Sequence, residues 1–203
     1  HWVYHAIRVY GGAPFILSIA LTALLVLVLS LIFSTPAYLV NKLFKNVSSI
    51  RRLTILYPTT FVIFEWLRGH LIFTGFPWLL LGYSQTSTWF SSLAPVIGVY
   101  GLSLIVYFLS GCIVTLFSTI PKHQRKVILT APVFITFLTL YCHFQNYTTL
   151  SNQNTPVTLI QGNIKQSLKF TPTSLQNILD QYINDTKHAL KDSQSYGLVI
   201  WPE

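Results

Sequence analysis

The sequence has few charged side chains and almost no acidic ones. Only 9% of its 203 residues are charged, whereas a soluble domain carries about 25%. The only acidic residue before Asp180 is Glu65. This deficit excludes an ordinary soluble domain for the first three quarters of the chain. It predicts a membrane protein whose final quarter is more polar.

Methionine is absent and cysteine is rare. Translation starts with Met, and the chain begins at His1, so we expect an amino-terminal portion of the protein to lie outside it. The last residues, LVIWPE, form an apolar run that has just reached a carboxylate, which is typical of an internal fragment. The two cysteines, Cys112 and Cys142, lie inside apolar runs. They are expected to be small buried side chains rather than a disulfide or a metal pair.

The formal net charge of +8 does not indicate a nucleic-acid partner. Lys and Arg cluster between the apolar runs, as topology signals of membrane proteins do. A basic stripe with interleaved aromatic residues, which nucleic acid would need, is absent from the sequence. We expect a membrane protein without a nucleic-acid partner, a metal or a cofactor.

Four apolar stretches are long enough to cross a bilayer as helices of about 20 residues. They are residues 13–40, 53–73, 95–117 and 127–147. Together they predict that residues 1–147 form a multi-span α-helical membrane bundle.

Basic residues predict the direction of these spans. The loops at 41–52 and 118–126 are rich in Lys and Arg, and such loops stay in the cytoplasm. Residues 148–203 are then on the outer side of the membrane. Within them, 148–155 reads as a polar linker.

A strand, a helix and a second strand are predicted within residues 156–203. The runs VTLIQGNI and YGLVIWPE are rich in β-branched or apolar residues, as buried strands are. Between them, apolar residues from Leu175 to Leu190 recur with a helical period of 3.6 residues. A βαβ unit of this length predicts a parallel sheet.

Glu203 directly follows the second predicted strand and is a candidate general base. In open α/β sheets the functional site lies beyond the carboxyl ends of the strands. Gln161 and Asn163 end the first strand at the same edge. The alternative interpretation is a strand-end carboxylate that caps a helix or is solvated.

The segment FEWLRGHLIFTGFPWLLLGYSQ places ionisable residues in an apolar helix, followed by an aromatic turn. Glu65 and Arg68 are three residues apart, so they share a helix face and can pair. A structural ion pair and a lipid contact are both open for them. Trp78 lies in an apolar turn expected at the membrane interface, where it either binds lipid or packs a helix–loop corner.

Three stretches together resemble the apolipoprotein N-acyltransferase family of Gram-negative bacteria. They are EWLRGHLIFTGFPWLLLGYSQ, VTLIQGNIKQSLKF and LVIWPE. The resemblance implies a multi-pass protein of the bacterial inner membrane. It also implies that the helical bundle is followed by the start of a periplasmic α/β nitrilase-like domain, an αββα sandwich.

The resemblance also implies a reaction and its residues. An acyl chain passes from a phospholipid donor, usually phosphatidylethanolamine, to a cysteine thioester and then to the amine of a diacylglyceryl apolipoprotein. Glu203 matches the Glu of a Glu–Lys–Cys triad whose Lys and Cys lie downstream, so we expect the 203 residues alone to be inactive. Trp78, Arg68 and Glu65 are expected to contact lipid or substrate. Phe170 belongs with them and stands where the family often has Trp.

Two other function classes remain open on the sequence. A membrane-anchored amidase of the same nitrilase superfamily would use water in place of the lipoprotein amine. A non-catalytic scaffold or transporter would carry a vestigial outer domain.

Overall fold

The chain is described by a computed structural model, and most of it is helical. The residues that the structure describes are 1–71, 75–117, 122–149, 151, 155–165, 169, 172–191 and 197–202. The α-helices are α1 Trp2–His5, α2 Phe15–Leu43, α3 Ser49–Arg51, α4 Tyr57–His70, α5 Ala94–Leu116, α6 Lys122–His143 and α7 Pro172–Lys191. The strands are β1 Val157–Leu159 and β2 Leu198–Ile200.

Two compact units make up the chain. One comprises His1–Thr22 with Thr149–Glu203, and the other comprises Ala23–Thr148. The second unit contains α3 to α6 and most of α2, and it is the helical bundle. The first unit contains the sheet and α7.

Two helical segments of the described chain are long and apolar enough to cross a membrane. They are Phe15–Leu43 and Trp89–Leu116, while the apolar segment Ile128–His143 is shorter. The 29 residues of α2 reach about 43 Å, more than the ~30 Å of a bilayer's hydrocarbon core. The segment also leaves large apolar side chains exposed along its length, which suits contact with lipid. The four predicted spans and their boundaries stay predictions.

Small residues allow α5 to pack closely on the segment that leads into α4. A π-helical turn at Arg52–Leu56 runs directly into α4. A Cβ placed on Gly111 of α5 would overlap the backbone carbonyl oxygen of Leu53 in that turn. Close helix approach through glycine is the usual packing of membrane helices.

The helix α5 is interrupted near its start. Gly98 has φ 65° and ψ −175°, which is outside the helical region. Glycine adopts this conformation without the penalty that a Cβ would bring. A break of this kind frees backbone groups of the helix, which other parts of the protein must then satisfy.

The sheet of the first unit confirms the predicted βαβ unit. Its strands are parallel, with Val157 opposite Leu198 and Leu159 opposite Ile200. The amide of Ile160 extends the ladder by donating to the carbonyl of Ile200 at 3.0 Å. The helix α7 connects the two strands. The small parallel sheet agrees with the α/β part of the predicted fold.

Candidate functional site

The loop of residues 75–82, here called the Trp78 loop, folds back onto the end of α4. The amide of Phe76 donates to the carbonyl of Arg68 at 2.9 Å. Gly75 makes the turn with φ 107°, and a Cβ on it would lie 2.7 Å from the carbonyl oxygen of Gly69. Glycine is therefore needed at the start of the loop for both backbone conformation and space.

Glu65 is a buried carboxylate that holds this loop. Its side chain is only 3% exposed. Its Oε1 accepts a hydrogen bond from the backbone amide of Leu81 at 3.1 Å and another from the Tyr107 hydroxyl at 3.0 Å. Glu65 thus connects α4 to both the Trp78 loop and α5.

Arg68 lies one turn further along α4 and also contacts the loop backbone. It is 1% exposed, and its Nη2 donates to the carbonyl of Leu79 at 3.3 Å. Its guanidinium lies 4.9 Å from the centre of the Phe33 ring in α2. A cation over an aromatic face gains roughly 0.5–2 kcal/mol, most when it is desolvated.

Glu65 and Arg68 do not form a direct ion pair, although their spacing allowed one. Each side chain instead forms a hydrogen bond with the loop backbone. Arg68 bonds to Leu79, and Glu65 bonds to Leu81, two residues further along the loop. Glu65 Oε2 and Arg68 Nη1 are buried, and neither has a hydrogen-bond partner among the described residues.

A third side-chain hydrogen bond holds the carboxyl end of the Trp78 loop against α5. The amide of Gly82 donates to Ser103 Oγ at 2.8 Å. A Cβ on Gly82 would overlap the carbonyl oxygen of Val99, the residue after the break at Gly98. The loop therefore packs its backbone directly against the interrupted part of α5.

The loop presents apolar side chains outward while its backbone is held inward. Trp78 is 54% exposed and Leu79 is 68% exposed. Leu79 has φ 61°, a left-handed conformation that costs a residue with a Cβ about 1–2 kcal/mol. The Trp78 ring lies 5.1 Å from that of Phe76. Trp78 and Leu79 therefore form an exposed apolar pair on a loop whose backbone is fixed, which suits binding of an apolar ligand.

The first unit has a separate pocket at the carboxyl ends of its two strands. Its volume is about 460 Å³, and residues that follow both strands line it. The lining residues include Gln161, Asn163, Lys169, Tyr182, Trp201 and Pro202. This is the edge of the sheet at which the sequence predicts a site. Glu203 and Phe170, two of the predicted site residues, lie outside the described residues.

Aromatic stacking and hydrogen bonds shape the wall of this strand-end pocket. Tyr182 and Trp201 stack with ring centres 5.7 Å apart. Trp201 Nε1 donates to Thr186 Oγ1 at 2.9 Å, and Gln181 Nε2 donates to the carbonyl of Gly162 at 3.0 Å. Helix α7 is thereby fastened to the residues that follow both strands.

The two cysteines are buried and free in the helical bundle. Cys112 lies in α5 and Cys142 in α6. Within the described ranges, no three His, Cys, Asp or Glu residues group as metal ligands would. Neither cysteine is placed to act as an accessible nucleophile.

Two polar partners in the bundle, Tyr107 and Ser103, were not predicted from the sequence. Both lie in α5 and face the α4–loop corner. Their only signal in the sequence is polarity within an apolar helix, which is also typical of side chains that bond to their own backbone.

A bundle with spanning-length apolar helices, buried charges at a loop and a parallel βαβ unit defines a helical membrane protein with a small α/β part. Residues 1–112 match the family model of the apolipoprotein N-acyltransferase N-terminal domain. The chain belongs to the apolipoprotein N-acyltransferase family.

Curated relatives of that name are similar over the whole chain or nearly all of it. The Coxiella burnetii protein is 34% identical over 203 residues, and the Methylococcus capsulatus protein is 35% identical over 202. Both alignments cover 100% of this chain. The Pasteurella multocida protein is 36% identical over 188 residues, or 90% of the chain. The chain spans 41%, 39% and 35% of the length of these relatives, respectively.

Proposed function

We propose that this chain is the membrane part and a portion of the nitrilase-like domain of a bacterial acyltransferase. The enzyme would move an acyl chain from a phospholipid to the amino-terminal amine of a diacylglyceryl apolipoprotein. The observation that carries the proposal is the family match over residues 1–112, together with similarity of the whole chain to relatives of that name.

Glu203 is the proposed general base. It would take the proton of a cysteine thiol, and the thiolate would attack the ester carbonyl of the phospholipid. The bond to the glycerol oxygen then breaks, and the lysophospholipid alkoxide receives the proton. In the second step the lipoprotein amine attacks the thioester, and its proton returns through Glu203 to the departing thiolate.

We propose that the thiol and the lysine of this reaction come from outside the 203 residues. Both cysteines of the chain are buried in helices. A nucleophilic cysteine is instead accessible and ionised. The lysine would keep Glu203 ionised and stabilise the oxyanion. The chain by itself is therefore expected to be inactive, and the tests below use the full-length protein.

Trp78 is the proposed contact for the acyl donor. Its exposure beside Leu79 on a fixed loop supports this role, because an acyl chain needs apolar surface and few polar groups. Phe170 is a second proposed aromatic contact for lipid or substrate. A direct contact of Glu65 or Arg68 with lipid stays a prediction, and their burial favours an indirect role.

The strand-end pocket supports the nitrilase-like assignment. Gln161 and Trp201 follow parallel strands and line a common space, as expected for a site at the carboxyl edge of an α/β sheet. Glu203 comes two residues after Trp201 in the sequence. A base at this position would be within a few residues of the pocket wall.

The proposed location is the inner membrane, with residues 148–203 in the periplasm. Lys and Arg in the loops at 41–52 and 118–126 support this orientation. Reporter fusions after Lys126 and after Asn152 should report cytoplasm and periplasm, respectively. A cytoplasmic signal from the fusion after Asn152 would reverse the topology.

The activity can be tested with purified full-length protein in proteoliposomes that contain phosphatidylethanolamine with a labelled acyl chain. The acceptor is a diacylglyceryl peptide with a free amino terminus, and the matched control is the same peptide with that amine acetylated. We expect label on the free peptide only.

Other outcomes separate the competing functions. Labelled fatty acid released at the same rate with or without acceptor would indicate a hydrolase that uses water. Absence of both product and enzyme-bound label would indicate a non-catalytic membrane protein.

A further inference from the structure

We propose that Glu65 and Arg68 are positioning residues that fix the Trp78 loop by its backbone, from inside the bundle. The functional half of this inference rests on the proposed role of Trp78 in binding the acyl donor. The structural half stands on the hydrogen bonds of the loop alone.

The two side chains hold both sides of one short backbone segment. Arg68 donates to the carbonyl of Leu79, and Glu65 accepts from the amide of Leu81. The bonds are 3.3 and 3.1 Å long and run in opposite directions, so one satisfies a backbone acceptor of the loop and the other a backbone donor. Glu65 and Arg68, here called the two anchors, lie one turn apart on α4. The rigid helix therefore fixes the distance between them.

The segment between the anchors needs external support. Leu79 is in the left-handed region at φ 61° and is largely exposed. A residue in this conformation persists only where its surroundings determine it. Backbone groups near lipid also have no water with which to form hydrogen bonds. The anchors meet both requirements, and they set the direction in which the adjacent Trp78 points.

Burial favours this role over direct recognition of a lipid phosphate. The Arg68 side chain is enclosed, and its guanidinium is already stacked on Phe33 and bonded to the loop. To reach a headgroup it would have to release both partners. The pair therefore acts on the donor through the position of Trp78.

The structural half is tested by limited chymotrypsin digestion of full-length protein in detergent, with cleavage after Trp78 and Tyr83 followed by mass spectrometry. Glu65→Leu removes the acceptor of the Leu81 amide and should speed cleavage about 10-fold or more, the range for leaving an enclosed amide without an acceptor. Glu65→Gln keeps an acceptor oxygen and should stay close to wild type.

Tyr107→Phe is the matched control. It removes the other hydrogen bond of Glu65 and leaves the bond to the loop in place. Its cleavage rate should stay within about twofold of wild type, since the bond between Glu65 and the Leu81 amide of the loop is kept. If Glu65→Leu does not yield folded protein, Arg68→Met replaces it, because it keeps much of the length of the side chain and removes the bond to the Leu79 carbonyl; this variant should raise cleavage several-fold. Cleavage at the wild-type rate in Glu65→Leu, or in Arg68→Met where it has to replace that variant, overturns the proposal.

The functional half is tested by a double-mutant cycle on the KM for the phospholipid donor. Glu65→Leu should raise this KM in the wild-type background but change it little when Trp78→Ala is already present, because its effect passes through Trp78. Equal effects in both backgrounds would show that Glu65 does not act through Trp78. An unchanged KM in Trp78→Ala would refute the donor role of Trp78, while the digestion result would still decide whether Glu65 positions the loop.

Discussion

The Trp78 loop and the strand-end pocket obtain their shape in different ways. In the bundle, buried ionisable side chains reach out of a helix and hold the backbone of a loop. In the other unit, backbone pairing of two parallel strands brings side chains to one edge. In the bundle, the buried polar side chains hold backbone and the exposed surface of the loop is apolar, whereas at the sheet edge polar side chains line an open pocket.

The largest effect is expected from loss of the proposed base Glu203, which follows the second strand in the sequence. Glu203→Gln keeps the shape of the side chain but cannot accept the proton. Acyl transfer to the lipoprotein amine should fall by about 10²–10⁴-fold, with the amount of membrane-inserted protein unchanged. Asp180→Asn makes the same change of charge on exposed α7 and should leave the rate near wild type. Equal rates for both variants would remove Glu203 from the mechanism.

A smaller effect is expected from the apolar surface of the loop. Trp78→Ala should raise the donor KM about 10- to 100-fold, the range for losing burial of one large apolar side chain. The value of kcat at saturating donor should change less. Trp89→Ala removes another exposed tryptophan of the same unit and serves as the control. A fall in kcat with constant donor KM would contradict donor binding by Trp78.

The strand–helix–strand unit was predictable because its signals are local. Apolar runs at Val157–Leu159 and Leu198–Ile200, with helical periodicity between them, sufficed to predict a parallel sheet. The role of Glu65 and Arg68 was only half predictable. Their presence in an apolar helix marked them, but their partners include backbone groups 11 and 16 residues away. Backbone groups have no residue-specific signal in a sequence, so these contacts could not be predicted.

Glycine substitutions in the two units should also differ in their effect on donor binding. Gly82→Ala would push a Cβ into the Val99 carbonyl and should lower stability by about 1–3 kcal/mol, as overpacking does. It should also raise the donor KM. Gly12→Ala, where φ is 66° but the surrounding space is open, should cost about 1 kcal/mol and leave the donor KM unchanged. Thermal unfolding in detergent and donor titrations measure both quantities. An unchanged donor KM in Gly82→Ala would show that the packing of the Trp78 loop does not affect donor binding.

The smallest effect is expected at the wall of the strand-end pocket. Trp201→Phe keeps an aromatic ring against Tyr182 but loses the hydrogen bond to Thr186. The loss should be about 0.5–1.5 kcal/mol, toward the lower value because the site is partly exposed. Thr186→Val removes the same bond, so the double variant should be less destabilised than the sum of the two single variants. Strict additivity in thermal unfolding would show that the bond does not contribute.

The most direct test of the proposed function is the first half-reaction of the full-length protein with labelled phospholipid and no acceptor. The wild-type enzyme should retain labelled acyl chain as a thioester that hydroxylamine releases. Glu203→Gln should retain little, because its thiol is not activated. Trapping of acyl chain by Glu203→Gln at the wild-type rate would contradict the assignment of the strand-end carboxylate as the base.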